Sequence, residues 1–307
     1  MTPFASVFWM LLASLSFSLM GVCVKLASTS FFSSELVFYR GVVGVILMGA
    51  WMRSQGVSIQ SSVPIMHIRR SLAGVISLSA WFYALGKLPL ATAMTLNYTS
   101  SLWVAAFVLL GAALWRSKGR QSQHAQTLQA SLGLTIAAGF VGVLLVLRPA
   151  IDQGQILAAL MGLASGLIAA LAYLQVSQLT KHGEPESRIV FYFALGTVLT
   201  GAITLSWTGM SSLLTTASWW LFPIGVFASI GQISMTKAYG SGATLLAANL
   251  QYMGIVYSAL LGLVVFGDHI TPLGWLGMAL IIASGVAATA LRRRANRSTP
   301  PAPAQEF

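Results

Sequence analysis

Apolar residues fall in runs of around twenty, with short polar breaks between them, along nearly the whole of this chain. The runs are roughly 5–27, 34–52, 70–86, 90–111, 128–147, 154–176, 188–207, 217–237, 243–266 and 272–291. Such a run is long enough to cross a bilayer as a helix, at about 1.5 Å of rise per residue against about 30 Å of hydrocarbon. The pattern predicts an all-α integral membrane protein with ten transmembrane helices. The breaks at Gly86–Pro89 and Gly240–Gly242 are the shortest, and hydropathy alone also accommodates nine or eleven spans.

The runs also resemble one another in order. Val37-Phe38-Tyr39 returns as Val190-Phe191-Tyr192 at an offset of 153, and Val45 returns as Val198. At an offset of 154, Ala84, Gly86, Leu96 and Tyr98 return as Ala238, Gly240, Leu250 and Tyr252. Leu12-Ala13-Ser14 is similar to Leu163-Ala164-Ser165. Apolar segments match easily by composition, but matches in one order at one offset imply a duplication. Five spans precede the Arg148–Gly154 connection and five follow it. An odd count makes the second copy enter the membrane from the opposite side, so the expected architecture is two inverted five-helix repeats. The expected units are 1–150, 151–292 and a disordered cytoplasmic tail, 293–307.

Composition agrees with this picture. Of 307 residues, 56% are hydrophobic and 7% charged, where a soluble domain carries about 25% charged residues. The net charge of +11 comes from its distribution. With the amino terminus taken as cytoplasmic, thirteen of the seventeen Lys and Arg fall on the cytoplasmic side, among them Arg53, Arg69, Arg70, Arg116 and Arg292–Arg294. This positive-inside bias orients a membrane protein and calls for no nucleic-acid partner. It places the chain in a bacterial inner (plasma) membrane with both termini cytoplasmic. The expected partners are the lipid bilayer and a small-molecule substrate, and the sequence selects neither monomer nor homodimer.

Several chemistries lack their residues. There is no phosphate-binding Gly-x-x-x-x-Gly-Lys-Ser/Thr loop, no His-Glu-x-x-His and no Cys-x-x-Cys; Cys23 stands alone. An enzyme is not expected, nor a cofactor or a metal. Glu35, Asp152, Glu184, Glu186 and Asp268 all fall at span ends or in loops. Proton-coupled carriers usually hold a titratable group at depth, so facilitated diffusion or exchange is the simpler reading.

What remains at depth is polar without being charged. Tyr98 and Tyr252 lie eight or nine residues into the fourth and ninth spans, close to the midplane. Thr95 and Asn249 precede them by one helical turn, and Asn97 and Gln251 are a further repeat-related pair. An amide in hydrocarbon is costly unless it is hydrogen-bonded or faces water. Two such constellations predict a shared central cavity, against interhelical hydrogen bonding as the plainer alternative. Trp81, Tyr83, Tyr173 and Gln232 are candidates to line it, while Trp81 and Tyr83, near an outer span end, read equally as interface-belt anchors. Arg40, about six residues inside the second span, either snorkels to the surface or faces the bundle, where it attracts a substrate carboxylate.

Glu35-Leu36-Val37-Phe38-Tyr39-Arg40, the run Ala91-Thr92-Ala93-Met94-Thr95-Leu96-Asn97-Tyr98, and Phe266-Gly267-Asp268 with Leu276-Gly277 resemble the EamA-type carriers of the drug/metabolite transporter superfamily. The resemblance covers both halves, roughly 5–291. It implies ten helices around a central cavity, alternating access by rocking of helix bundles, and substrates such as amino acids and related metabolites. Amino-acid exporters of broad or aromatic range are the first expectation. Uptake or exchange carriers for metabolites such as S-adenosylmethionine are the alternative, and a channel or an intramembrane enzyme stands behind both.

Overall fold

A computed structural model describes residues 3–104, 106–107, 131, 134–135, 137–145, 153–240 and 250–298. Its helices are α1 Pro3–Ala27, α2 Ser33–Ser54, α3 Pro64–Lys87, α4 Leu90–Tyr98, α5 Ile156–Lys181, α6 Glu186–Thr208, α7 Leu221–Gly240, α8 Met253–Leu261 and α9 Pro272–Ser298. Helical turns also occupy 100–104 and 137–145, and no strand occurs among the described residues. Four helical stretches, Val7–Ala27, Ser33–Ser54, Ile156–Lys181 and Glu186–Thr208, are long and apolar enough to cross a membrane. The run at 128–147 falls partly outside the described residues, and Arg116–Thr127 wholly so.

Local chemistry sets the helix boundaries. Pro64 and Pro272 open α3 and α9, where a missing N–H costs nothing, and Pro89 and Pro185 stand just before α4 and α6. Glu35 accepts the Phe32 amide at 2.8 Å, pinning the first turn of α2. Gly183 turns the chain from α5 into α6 with φ of 78°, a left-handed conformation that glycine adopts without steric cost. Two boundaries differ from the hydropathy reading. Helix α3 begins six residues ahead of the run at 70, which brings His67 and Arg69 into helix. Helix α9 continues past 291 to Ser298, through Ala- and Arg-rich sequence of good helix propensity.

The helices pack through small residues. On α2, a Cβ added to Gly44 would stand 3.0 Å from the Ala194 Cβ, and one on Gly41 would strike Thr197. On α6, a Cβ on Gly201 would meet Phe38 at 2.7 Å. These pairings make α2 and α6 antiparallel and in close contact. Helix α5 is antiparallel to α3, with His67 beside Glu184 at one end and Ser77 bonded to the Ser165 carbonyl further along. Helix α1 runs parallel to α3, since Lys25 reaches the Leu88 carbonyl. Further contacts join α1 with α7 and α8, α4 with α5 and α8, and α3 with α6. Large apolar side chains such as Trp207, Leu214, Trp219 and Val264 are almost fully exposed, an outer surface suited to lipid and not to water.

Candidate functional site

Two helices are interrupted where the repeat-related tyrosines lie. Helix α4 ends at Tyr98, Thr99 makes a turn, and helix resumes at 100. In the second half Gln251-Tyr252 is the turn and Met253 opens α8. Breaking a helix frees backbone carbonyls, which hydrocarbon cannot satisfy. Neighbours satisfy them here. Ser18 of α1 donates to the Gly254 carbonyl at 3.2 Å, Ser14 to the Leu250 carbonyl at 3.5 Å, and Thr99 to the Leu96 carbonyl at 2.6 Å. Small residues make this approach possible: a Cβ on Gly166 would fall 2.5 Å from Thr99 Oγ1 and 2.7 Å from the Leu96 carbonyl.

Beside the first of these breaks lies a cavity of about 40 Å³, room for about three waters at roughly 10–15 Å³ each. Phe17 of α1, Arg70, Ser77 and Trp81 of α3, Asn97 and Tyr98 of α4, Tyr173 of α5, Phe193 of α6 and Gln232 of α7 line it. Several lining groups have a specific support, whereas the Tyr98 hydroxyl and Trp81 Nε1 have no hydrogen-bond partner among the described residues. Asn97 Nδ2 donates to Ser165 Oγ at 3.0 Å. Tyr173 stacks on Tyr239 with centroids 5.8 Å apart. Trp81 meets Phe17 edge to face at 6.5 Å. Arg70 Nη2 donates to Gln232 Oε1 at 3.3 Å, and its guanidinium lies over the Phe193 ring, 4.0 Å from the centroid.

The candidates read from sequence therefore separate. Tyr98, Asn97, Trp81, Tyr173 and Gln232 line the cavity. Gln251 stands behind it, accepting from the Tyr239 hydroxyl at 2.9 Å and reaching the Tyr173 hydroxyl at 3.5 Å. Tyr252 is equally buried but packs against Gly285 of α9, while Tyr98 packs against Gly254. Thr95 spends its hydroxyl on the Ala91 carbonyl of its own helix. Tyr83 borders a surface depression beside Ser28 and Lys87. Arg40 is buried, on the far side of the lining, with its guanidinium 4.9 Å from the Phe193 centroid. Asn249 lies outside the described residues.

Arg70 and Phe193 are the additions that sequence reading missed. Arg70 was grouped with the cytoplasmic positive charges, yet it is 3% exposed. A usable signal was present: Gly74, one turn later, leaves the space that Arg70 and Phe193 fill, and a Cβ there would stand 2.7 Å from Phe193 Cε2.

Ionic clusters tie the chain together at both ends of the bundle. At one end Lys25 of α1 pairs with Asp268 at 3.3 Å, while Asp268 also accepts the Leu90 amide at 2.9 Å. At the other end Glu184 accepts from Arg188 at 3.0 Å and from Ser61 at 2.7 Å, and lies 3.1 Å from His67 Nε2. Burial works to raise the Glu184 pKa, but the hydrogen bonds from Ser61, Arg188 and His67 outweigh it and hold the carboxyl below its ordinary value.

The chain is 30% identical to a pseudopaline exporter of Pseudomonas aeruginosa over 279 residues, covering 90% of this chain and 93% of that protein. The model of the EamA-like transporter family matches residues 156–289. This chain belongs to the EamA-like transporter family. Two further members of similar sequence are a riboflavin transporter of Vibrio cholerae, 26% identical over 92% of each chain, and an S-adenosylmethionine uptake transporter of Rickettsia bellii, 23% identical over 85% of this chain and 84% of that one. A solved crystal structure superposes with a TM-score of 0.66 at 16% identity, over 96% of this chain and 99% of the other, which shows a shared fold. The EamA relatives are transporters of small molecules and not enzymes, so this member is a multi-pass inner-membrane transporter.

Proposed function

We propose that this EamA-family chain is a secondary carrier that moves small amphiphilic metabolites, amino acids first among them, outward by alternating access. The halves are residues 1–150 and 151–292, each of five spans, inverted relative to one another, with both termini cytoplasmic. The observation that carries this reading is the buried cavity beside the interrupted α4, which Arg70, Asn97, Tyr173 and Gln232 make partly polar, with a different ionic cluster tying the helices at each end. A site between two closures is what alternating access requires, and broken helices near the midplane supply polar backbone to it.

Reciprocity of the contacts supports the inverted halves. Gly41 of α2 meets Thr197 of α6, and Gly44 of α2 meets Ala194. At the offset of 153, Thr197 is the counterpart of Gly44 and Ala194 the counterpart of Gly41. Such self-complementary pairing is the mark of a two-fold relation. The same exchange turns the packing of α1 on α8 into that of α5 on α4, and of α1 on α7 into that of α5 on α3. An uptake or exchange carrier, for a substrate such as S-adenosylmethionine, is the second reading. The relative named as an S-adenosylmethionine uptake transporter favours it.

Counterflow in proteoliposomes tests the carrier. Labelled amino acid entering against an unlabelled internal pool is the expected result. Uptake that ignores the internal pool would indicate a pore and overturn the proposal.

A further inference from the structure

We propose that Arg70, seated on Phe193 and steadied by Gln232, is the binding group for a carboxylate on the transported substrate, with Arg40 supplying a second positive charge behind the ring. The proposal rests on the carrier reading and narrows its substrate class to organic carboxylates.

The argument begins with charge. Only six Asp and Glu occur in the chain. Glu35 is taken up by the Phe32 amide and by Ser211, Glu184 by Arg188, Ser61 and His67, and Asp268 by Lys25 and Leu90. Among the described residues neither Arg40 nor Arg70 forms an ion pair, although both are 3% exposed. Two unpaired cations buried in a membrane protein are costly. A cation–π contact and a single hydrogen bond offset only part of the cost of taking each ion out of water. An anion from outside the chain is the missing compensation.

Geometry then selects Arg70 as the contact. It lines the cavity and Arg40 does not. Of the five N–H donors on the Arg70 guanidinium, Gln232 takes one from Nη2, while among the described residues Nε and Nη1 have no acceptor. Whichever Nη2 hydrogen Gln232 accepts, one two-pronged edge is left without an acceptor; it is covered in this closed state, and a carboxylate takes it with its two oxygens as the cavity walls part. Phe193 holds the guanidinium plane from one side, and Gly74 leaves room for it. The remaining wall is aromatic and amide, from Trp81, Tyr98, Tyr173 and Asn97, and holds no acidic group. An ammonium gains no ionic partner there, so amines without a carboxylate are rejected.

Equilibrium dialysis of the purified full chain in detergent with labelled benzoate, at fixed ionic strength, tests the site in its open state, since the ring is larger than the closed cavity of about 40 Å³. Saturable benzoate binding is expected, with benzamide a poor competitor. Arg70→Gln is expected to weaken binding by about tenfold or more and Arg70→Lys by less, since a point charge keeps attraction but loses the fork. Gly74→Ala displaces the guanidinium while keeping its charge, and weakens binding too. Arg40→Gln, acting only through its field, weakens it by about threefold. Removing an unpaired buried charge is not expected to lower folded yield, which keeps Arg70→Gln informative. Equal competition by benzamide, wild-type binding in Arg70→Gln, or no benzoate binding at tens of millimolar would each overturn the proposal. A second arm follows release of cytosolic metabolites from loaded proteoliposomes. Release of amines or neutral compounds alone would sink the carboxylate site and leave the carrier standing. Release of nothing, with Arg70-dependent benzoate binding intact, would sink the carrier and leave the anion site.

Discussion

Asp268→Asn gives a direct handle on alternating access. The substitution removes the charge that faces Lys25 Nζ at 3.3 Å, and it leaves a carbonyl oxygen to accept the Leu90 amide, now 2.9 Å from Oδ2. At an effective dielectric constant of about 20 the gross attraction of such a pair is about 5 kcal/mol. The two side chains keep 20% and 12% of their exposure, so solvent screening and desolvation cancel most of that. A net contribution of about 1–2 kcal/mol remains, between the exposed and buried limits. In an equilibrium between closed and open at this end, that is a factor of about 5–30. The assay uses a cysteine reporter. Cys23→Ser removes the single native thiol, and Ser77→Cys places a new one in the cavity wall. A membrane-impermeant maleimide is applied to intact cells and, separately, to inverted vesicles. Asp268→Asn is expected to speed labelling from the Lys25 face by about 5–30-fold and to leave labelling from the opposite face unchanged or slower. An unchanged rate from the Lys25 face, at equal folded yield, refutes the pair as a closure and leaves it an ordinary structural tie.

Three other outcomes follow from the same geometry. Gly166→Ala places a methyl group 2.5 Å from Thr99 Oγ1 and 2.7 Å from the Leu96 carbonyl; overpacking together with loss of the Asn97–Ser165 bond is expected to cost about 2–4 kcal/mol, and a thermal midpoint equal to wild type would show the crossing to be looser. Glu184 is held below its ordinary pKa of 4.5, so it contributes stability that is present above 4.5 and lost as pH falls through the lower folded value; Glu184→Gln is expected to lower stability at neutral pH and flatten the acid limb of a midpoint-against-pH curve, and an unaltered limb counts against the cluster. Tyr98→Phe removes a buried hydroxyl that has no hydrogen-bond partner among the described residues, so stability is expected to stay level or rise by up to about 1 kcal/mol; a fall in the midpoint would reveal a partner, and a changed transport KM at constant stability would place the hydroxyl on the substrate.

The spans were legible because a helix in hydrocarbon must be apolar over its whole length, and that constraint leaves a continuous signal in sequence. The break between α3 and α4 was equally plain at Gly86–Pro89, since proline and glycine act locally. The interruption after Tyr98 was not, because it contains neither residue: Tyr98-Thr99-Ser100 is held open by Thr99 and by the facing Gly166. Asn97 and Tyr98 stand out by polarity at depth, Trp81, Tyr173 and Gln232 as aromatic or amide groups on neighbouring spans, and all five line one cavity. Tyr252 carries the same local signal as Tyr98 and packs elsewhere, against Gly285.

By itself the sequence determined that this chain lies in a membrane as apolar helices, that its halves resemble each other, and which kinds of side chain are available at depth. Those are properties of composition and period, written residue by residue. Only the tertiary structure decided which of them meet. Arg70 looks like a boundary charge beside Arg69, and its burial depends on Phe193 and Gln232, more than a hundred residues away, and on the missing side chain of Gly74. A buried charge is tolerated or not according to its neighbours in space, and no local pattern in the chain records them.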